Sequence, residues 1–214
     1  MKTLVCIMGQ IRHADFTWPN FKKYVLDELG ADMVTCGPDS TRVNEYIRNS
    51  ILNIESDPDV ETNAERVLEH RRTLFKNVPK TYDQYILTRS DHMWYGPHPK
   101  LSTAYTWFMN SEFHFGISDR HWVMNLNSFC EYCENPPKYE HTLGSIEANL
   151  FNQVKWGFGT ALYPFPMYLT DENGNHRRPD EITASREVLH WPFVFIHGEL
   201  SPNGMYTGRA VKVT

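Results

Sequence analysis

The stretch Tyr85-Ile86-Leu87-Thr88-Arg89-Ser90-Asp91-His92 constrains this chain more than any other. A short apolar run passes directly into a basic residue, a hydroxyl, a carboxylate and an imidazole. The pattern predicts a strand that ends at Asp91. In an open α/β sheet the carboxyl tips of the strands are where ligands bind. An aspartate there can hold a divalent cation, and the cation can hold a diphosphate, which points to an enzyme using a nucleotide-activated substrate. Arg89 and Asp91 are two apart and share one strand face, so a salt bridge between them competes with that role.

The segments around this strand read as an α/β chain. Residues 2–8 are a first strand. Thr17 is the expected cap of a helix that opens with Trp18-Pro19, since proline suits a helical start. Phe21, Tyr24, Val25 and Leu29 give that helix one apolar stripe, and Gly30 ends it. Ala31–Cys36 is a second strand, followed by a turn at residues 37–40. Strand, helix, strand at this spacing favours a parallel pair joined by a right-handed crossover. Residues 41–61 are polar and irregular and fit a flap or a short helix. Asn63 is the expected cap of a helix from Ala64 to about Lys76. Beyond Asp91, Gly96-Pro97-His98-Pro99 marks an exit turn. The pattern then predicts a helix near Thr103–Asn110, a strand at Phe113–Ser118 and a loop-rich stretch over 121–141. Ser145 opens a helix from Ile146 to Trp156. A turn-rich stretch over Asp171–Pro179 leads to a last strand, Trp191–Ile196, ending at His197-Gly198. No internal repeat, low-complexity tract or linker interrupts the sequence, so residues 1–214 read as one domain.

Composition narrows the partners. The 214 residues suffice for one sizeable core. A hydrophobic fraction of 41% with 22% charged residues is that of an ordinary globular chain. The net charge of −5 leaves no Lys/Arg excess of the kind duplex nucleic acid demands. The apolar run before Gly9 is too short for a secretory signal, and no stretch approaches the roughly 20 apolar residues of a membrane span. Cys6 and Cys36 fall in predicted buried strands, where a free thiol acts as a small hydrophobe. A reducing, cytoplasmic compartment is the expectation. Cys130-Glu131-Tyr132-Cys133 is a single Cys-x-x-Cys. Its spacing to His121 and His141 fits no familiar zinc site, so these read as loop cysteines without a metal.

Several residues carry candidate chemistry. Asp91 and His197, each at a strand tip, are candidate ligands for Mn²⁺ or Mg²⁺. Gly9 lets the backbone approach a ligand. Gln10 can read a base edge, and Arg12 can face phosphate or a base. Arg71-Arg72 on the preceding helix and Arg89 beside Asp91 form a basic cluster suited to a diphosphate. Arg72, Arg89 and Ser90 therefore join the donor-binding candidates. Asp119 follows a predicted strand, and Glu147 lies in the first turn of the Ser145 helix. Either can act as a general base toward an acceptor hydroxyl, although the helix dipole alone also favours an acid at 147.

The order Gly9-Gln10-x-Arg12 after a strand, a strand ending at Thr35-Cys36, Tyr82-Asp83-Gln84-Tyr85-Ile86-Leu87-Thr88-Arg89-Ser90-Asp91, and Gly116-Ile117-Ser118-Asp119-Arg120 resembles the GT-A class of sugar-nucleotide-dependent glycosyltransferases. The nearest pattern is that of chlorovirus-encoded members that decorate the major capsid protein. The resemblance spans the chain, as one module of a longer polypeptide. It implies a Rossmann-like, mixed and mostly parallel central sheet between helices. It also implies a UDP-activated donor such as UDP-glucose or UDP-rhamnose, a glycan or glycoprotein acceptor, and Mn²⁺ or Mg²⁺. By position, Asp91 is similar to the metal-binding acid, and His197 resembles the C-terminal histidine that joins the metal in some members. Asp91-His92-Met93 departs from the usual Asp-x-Asp. That departure leaves a second reading, a nucleotide-sugar-binding module without catalysis.

Overall fold

The computed structural model describes residues 1–38, 44–109, 118–134, 136, 160–163, 165, 167–170, 173, 193–195 and 210–212. The first half alternates strand and helix: β1 (Thr3–Met8), α1 (Ala14–Phe21), β2 (Asp32–Gly37), α2 (Glu45–Asn49), β3 (Leu52–Glu55), α3 (Asn63–Asn77) and β4 (Gln84–Thr88). There follow β5 (His92–Trp94), β6 (Thr106–Met109), β7 (Trp122–Met124), α4 (Leu126–Phe129), β8 (Thr160–Tyr163), β9 (Met167–Leu169), β10 (Phe193–Phe195) and β11 (Ala210–Lys212). Among the described residues, nine strands form one sheet in the order β11-β10-β8-β6-β7-β4-β1-β2-β3, and β5 pairs with β9 in a separate ribbon. The sheet is mixed. Parallel pairing joins β3, β2, β1 and β4 without interruption, and joins β6 to β8. Antiparallel pairing places β7 between β4 and β6.

Period-two alternation builds the core. Leu4, Cys6 and Met8 of β1 face one apolar cluster, with Tyr85 and Leu87 of β4, Leu74 of α3 and Phe129 of α4. Val5 and Ile7 face the other, with Ile86 of β4 and with Trp18 and Phe21 of α1. Both faces of the parallel strands are thus covered, which is why β1 and β4 read as continuous apolar runs.

Several expectations are corrected here. Within the segment expected as a helix near Thr103–Asn110, Thr106–Met109 is the strand β6, and all four strand residues are buried. Thr106, Trp107 and Phe108 are β-branched or aromatic and suit a pleated surface. Burial on both faces erases the alternation that would have announced a strand. The 121–141 stretch, expected as loop, contains β7, α4 and a π-helical turn Cys130–Glu134 that includes both cysteines. The first helix begins three residues before the expected cap. His13 occupies the left-handed region at φ 55, and Thr17 donates its hydroxyl back to the His13 carbonyl from inside the helix. The helix passes beyond Pro19 into a π-helical segment, Lys22–Asp27, and Gly30 closes it at φ 57. The flap-or-helix segment supplies both α2 and the edge strand β3. The expected helix over 146–156 and nearly all of the expected strand over 113–118 lie outside the described residues. Part of the last expected strand is present as β10.

The α3 cap lies one residue before the expected Asn63. Thr62 Oγ1 accepts the Glu65 N–H, and the Glu65 carboxylate accepts the Thr62 N–H in return. This reciprocal pair satisfies two otherwise orphaned donors. Replacing Thr62 by Ala is expected to cost about 1 kcal/mol, read from the urea midpoint. No helix among the described residues is long and apolar enough to cross a membrane.

One backbone contact shapes the site above. The Gly9 N–H donates to the Cys36 carbonyl at 2.8 Å, with Gly9 at φ 79. A side chain at Gly37 would place its Cβ 2.2 Å from the Gly9 carbonyl oxygen. Backbone cannot yield as a flexible side chain can. Gly37→Ala is therefore expected to destabilise the fold by about 1–3 kcal/mol, the scale of overpacking, and to lower the urea midpoint accordingly.

Candidate functional site

The sheet order fixes where a ligand can enter. From β1 the chain moves outward to β2 and β3, then returns to pair β4 on the opposite side of β1. The switch falls between β1 and β4, and the crevice at their carboxyl tips is the ligand position in such sheets. A cleft of about 350 Å³ opens there. Gly9, Gln10 and Arg12 line it from the loop after β1, and Arg89 lines it from the residue after β4. Asp119 closes one side. Five of the candidates drawn from the sequence therefore meet at one place.

Ser90 and Asp91 stand behind the cleft and organise it. The Ser90 hydroxyl accepts the Arg12 N–H at 2.9 Å and donates to the Arg12 carbonyl at 3.3 Å, which ties the loop after β1 to the tip of β4. The buried Tyr46 hydroxyl donates to Thr17 Oγ1 or to the Ser90 carbonyl, 3.0 and 3.3 Å away, so α2 braces the same turn. Thr170 donates both its N–H and its hydroxyl to the Asp91 carbonyl. β4 ends at Thr88, so Ser90 and Asp91 form a turn into β5 and not the last residues of a strand.

Both oxygens of the Asp91 carboxylate accept from Arg89. Arg89 Nε donates to one oxygen at 3.0 Å and Nη2 to the other at 2.6 Å, a bidentate fork, and Asp91 is only 3% exposed. Burial pushes the Asp91 carboxyl up, but Arg89, His92 and Arg12 together hold it below the usual carboxylate range. The competing salt bridge anticipated from residue spacing is thus the arrangement found. Among the described residues, no group of three His, Cys, Asp or Glu side chains converges as a metal site. Both Asp91 oxygens accept from the Arg89 guanidinium, so a divalent cation at Asp91 would compete with that fork. His197 lies outside the described residues, as does Glu147.

The helix α3 supplies the opposite wall. Asn63, Arg66, Val67 and His70 line the cleft. Their spacing of three and four residues places them on one stripe. Arg66 was not among the sequence candidates, although this stripe was its signal once α3 and its cap were fixed. Arg72 was a candidate and falls elsewhere: it pairs with Glu69 along the helix and does not line the cleft. Two residues past the 63-66-70 stripe, position 72 turns away from that wall. His70 is buried with Nδ1 2.8 Å from Ser56 Oγ, and burial lowers its pKa. Arg71 is fully buried, its guanidinium 4.0 Å from the centre of the Trp122 ring. None of its three nitrogens has a hydrogen-bond partner among the described residues.

Beneath the β4 tip runs a buried chain of imidazoles. His98 Nδ1 lies 2.8 Å from the Pro99 carbonyl, which can only accept, so Nδ1 carries the proton. His98 Nε2 then accepts from His121 Nε2, 3.2 Å away, and His121 Nδ1 accepts the Thr88 hydroxyl at 3.0 Å. This assignment keeps both rings neutral, in agreement with burial lowering His98 to about 4 and His121 well below the usual histidine range. His92 is also fully buried; among the described residues neither ring nitrogen has a partner at normal hydrogen-bond geometry, and burial pulls its pKa to about 3 against the opposing pull of Asp91.

The cysteines are all free thiols. Burial raises Cys36 and Cys133 to about 12 and Cys6 well above the ordinary thiol value. Those three are poor thiolates and pack as hydrophobes. No family model matches the chain, and no curated protein matches it.

Proposed function

We propose that this chain is a GT-A-type glycosyltransferase that moves a sugar from a UDP-activated donor to a glycan acceptor. One observation carries the reading: Gly9, Arg12, Arg66, Arg89 and Asp119 line a single cleft at the switch point of the sheet. Departure of a nucleoside diphosphate leaves negative charge on the phosphates while the sugar becomes oxocarbenium-like. Fixed guanidinium groups stabilise that charge electrostatically and donate in forks that match phosphate oxygens. Asp119 is the base candidate within the cleft, able to accept the proton of an acceptor hydroxyl as it attacks. The Mn²⁺ or Mg²⁺ implied by the resemblance would have to take Asp91 from Arg89, and no step here is routed through it.

The bidentate lock on Asp91 favours one alternative, a module that binds nucleotide sugars without turning them over. Release of UDP separates the two. Incubation with a panel of UDP-sugars and an oligosaccharide acceptor pool is expected to liberate UDP from at least one donor. Asp119→Asn is expected to lower that rate by about 100-fold or more if the acceptor requires a base. Thermal stabilisation by UDP-sugars with no UDP release under any condition supports the binding module instead.

A further inference from the structure

We infer that Arg12 and Arg66 form a two-arginine clamp on the diphosphate of the donor, able to retain the nucleotide without the help of a cation. This rests on the proposed function and assigns the charge-bearing contacts within it. The two arginines come from different elements, the loop after β1 and the helix α3, and both line the cleft. Each is oriented by a neutral carboxamide. Arg12 Nε donates to Gln10 Oε1 at 3.1 Å, and Arg66 Nη1 donates to Asn63 Oδ1 at 2.9 Å. A carboxamide accepts a hydrogen bond but cancels no charge. Arg89 differs, because Asp91 already neutralises it at 2.6 Å.

Asp57 and Asp119 also line the cleft. Among the described residues, neither is within ion-pair distance of Arg12 or Arg66. The cleft therefore presents two oriented guanidinium groups with donor capacity to spare. A planar fork matches a phosphate better than a point charge does, and a diphosphate has oxygens enough to engage both forks together. Position 66 also lies in the first turn of α3, where the helix dipole adds to the attraction for an anion. A nucleoside without phosphate gains nothing from this arrangement.

Calorimetric titration of UDP and of uridine in EDTA tests the clamp. Wild-type protein is expected to bind UDP at least about tenfold more tightly than uridine, as one charge-assisted hydrogen bond already supplies. Arg66→Gln is expected to lose at least about tenfold in UDP affinity with uridine affinity unchanged, while its circular-dichroism melt stays cooperative. Arg12→Gln is expected to behave alike and serves if Arg66→Gln does not fold. UDP that outbinds uridine only after Mn²⁺ is added overturns the clamp and leaves the glycosyltransferase reading standing. So does UDP affinity that neither substitution lowers. If neither compound binds with or without Mn²⁺, the clamp and the nucleotide-sugar reading both fall.

Discussion

Lowering the pH from 7 to 5 will destabilise the folded chain by about 4 kcal/mol, through two buried histidines alone. His98 titrates near 4 and His92 near 3 in the folded state, against 6.5 for a free imidazole. Folded values lie below unfolded ones, so the unfolded chain takes up protons first as the pH falls. The stabilisation is whole above pH 6.5 and drains away as acid is added, down to about pH 4 for His98 and about pH 3 for His92. Each ring contributes a slope of about 1.4 kcal/mol per pH unit within its window. His121, also shifted down, acts in the same direction. The geometry gives the cause. A proton on His98 Nε2 would turn it from an acceptor into a second donor facing His121 Nε2, 3.2 Å away. Trp94 and Phe165 surround the pair and offer a new charge no solvent. Urea unfolding at half-unit intervals of pH measures the slope. His98→Gln keeps a donor and an acceptor but does not titrate, so its slope should be shallower by about 1.4 kcal/mol per pH unit between 6.5 and 4. Identical slopes for the variant and the parent would show that His98 is not a buried neutral ring.

The second large effect is expected at the Arg89–Asp91 fork. Asp91→Asn removes the negative charge that holds the Arg89 guanidinium at the cleft, and the proposed sugar transfer should fall by about 100-fold. A displacement of about an ångström in a positioning group suffices for that. Stability should fall much less, since Arg89 keeps access to solvent with 32% of its side chain exposed. Arg89→Gln should lower transfer to a similar degree. The double substitution should be no worse than either single one, because residues acting as a unit are not additive. Initial rates of UDP release for the four proteins give the cycle. Transfer by Asp91→Asn at the parental rate would show that the fork is an ordinary structural ion pair.

The parts of this architecture that could be read from sequence are those governed by local chemistry. β1 and β4 declare themselves because parallel strands buried on both faces are uninterrupted apolar runs. Gly30, at φ 57, marks the end of the first helical stretch by backbone requirement. Gly9, Arg12 and Arg89 each stand just past a strand, Asp119 stands three residues before β7, and the sheet order brings them together. Other features depend on partners far away in sequence. β6 and β7 are short, fully buried and joined through tertiary pairing, so neither shows a period of two. Arg66 and Arg72 are both arginines on one helix, and only the phase of α3 against the sheet puts one in the cleft and the other beside Glu69. The neutral histidine chain joins Thr88, His121 and Pro99 across three segments, and no spacing rule announces it. The fork between Arg89 and Asp91 was legible as a rival to metal binding from two-residue spacing, but which of the two prevails depends on the burial of Asp91.

The most direct measurement is a crystal structure of the protein grown with saturating uridine diphosphate. The account predicts diphosphate density in the cleft between the Gly9–Arg12 loop and α3, within hydrogen-bond reach of the Arg12 and Arg66 guanidinium groups. A nucleotide bound elsewhere on the chain, or a cleft left open while uridine diphosphate is present in excess, would contradict it.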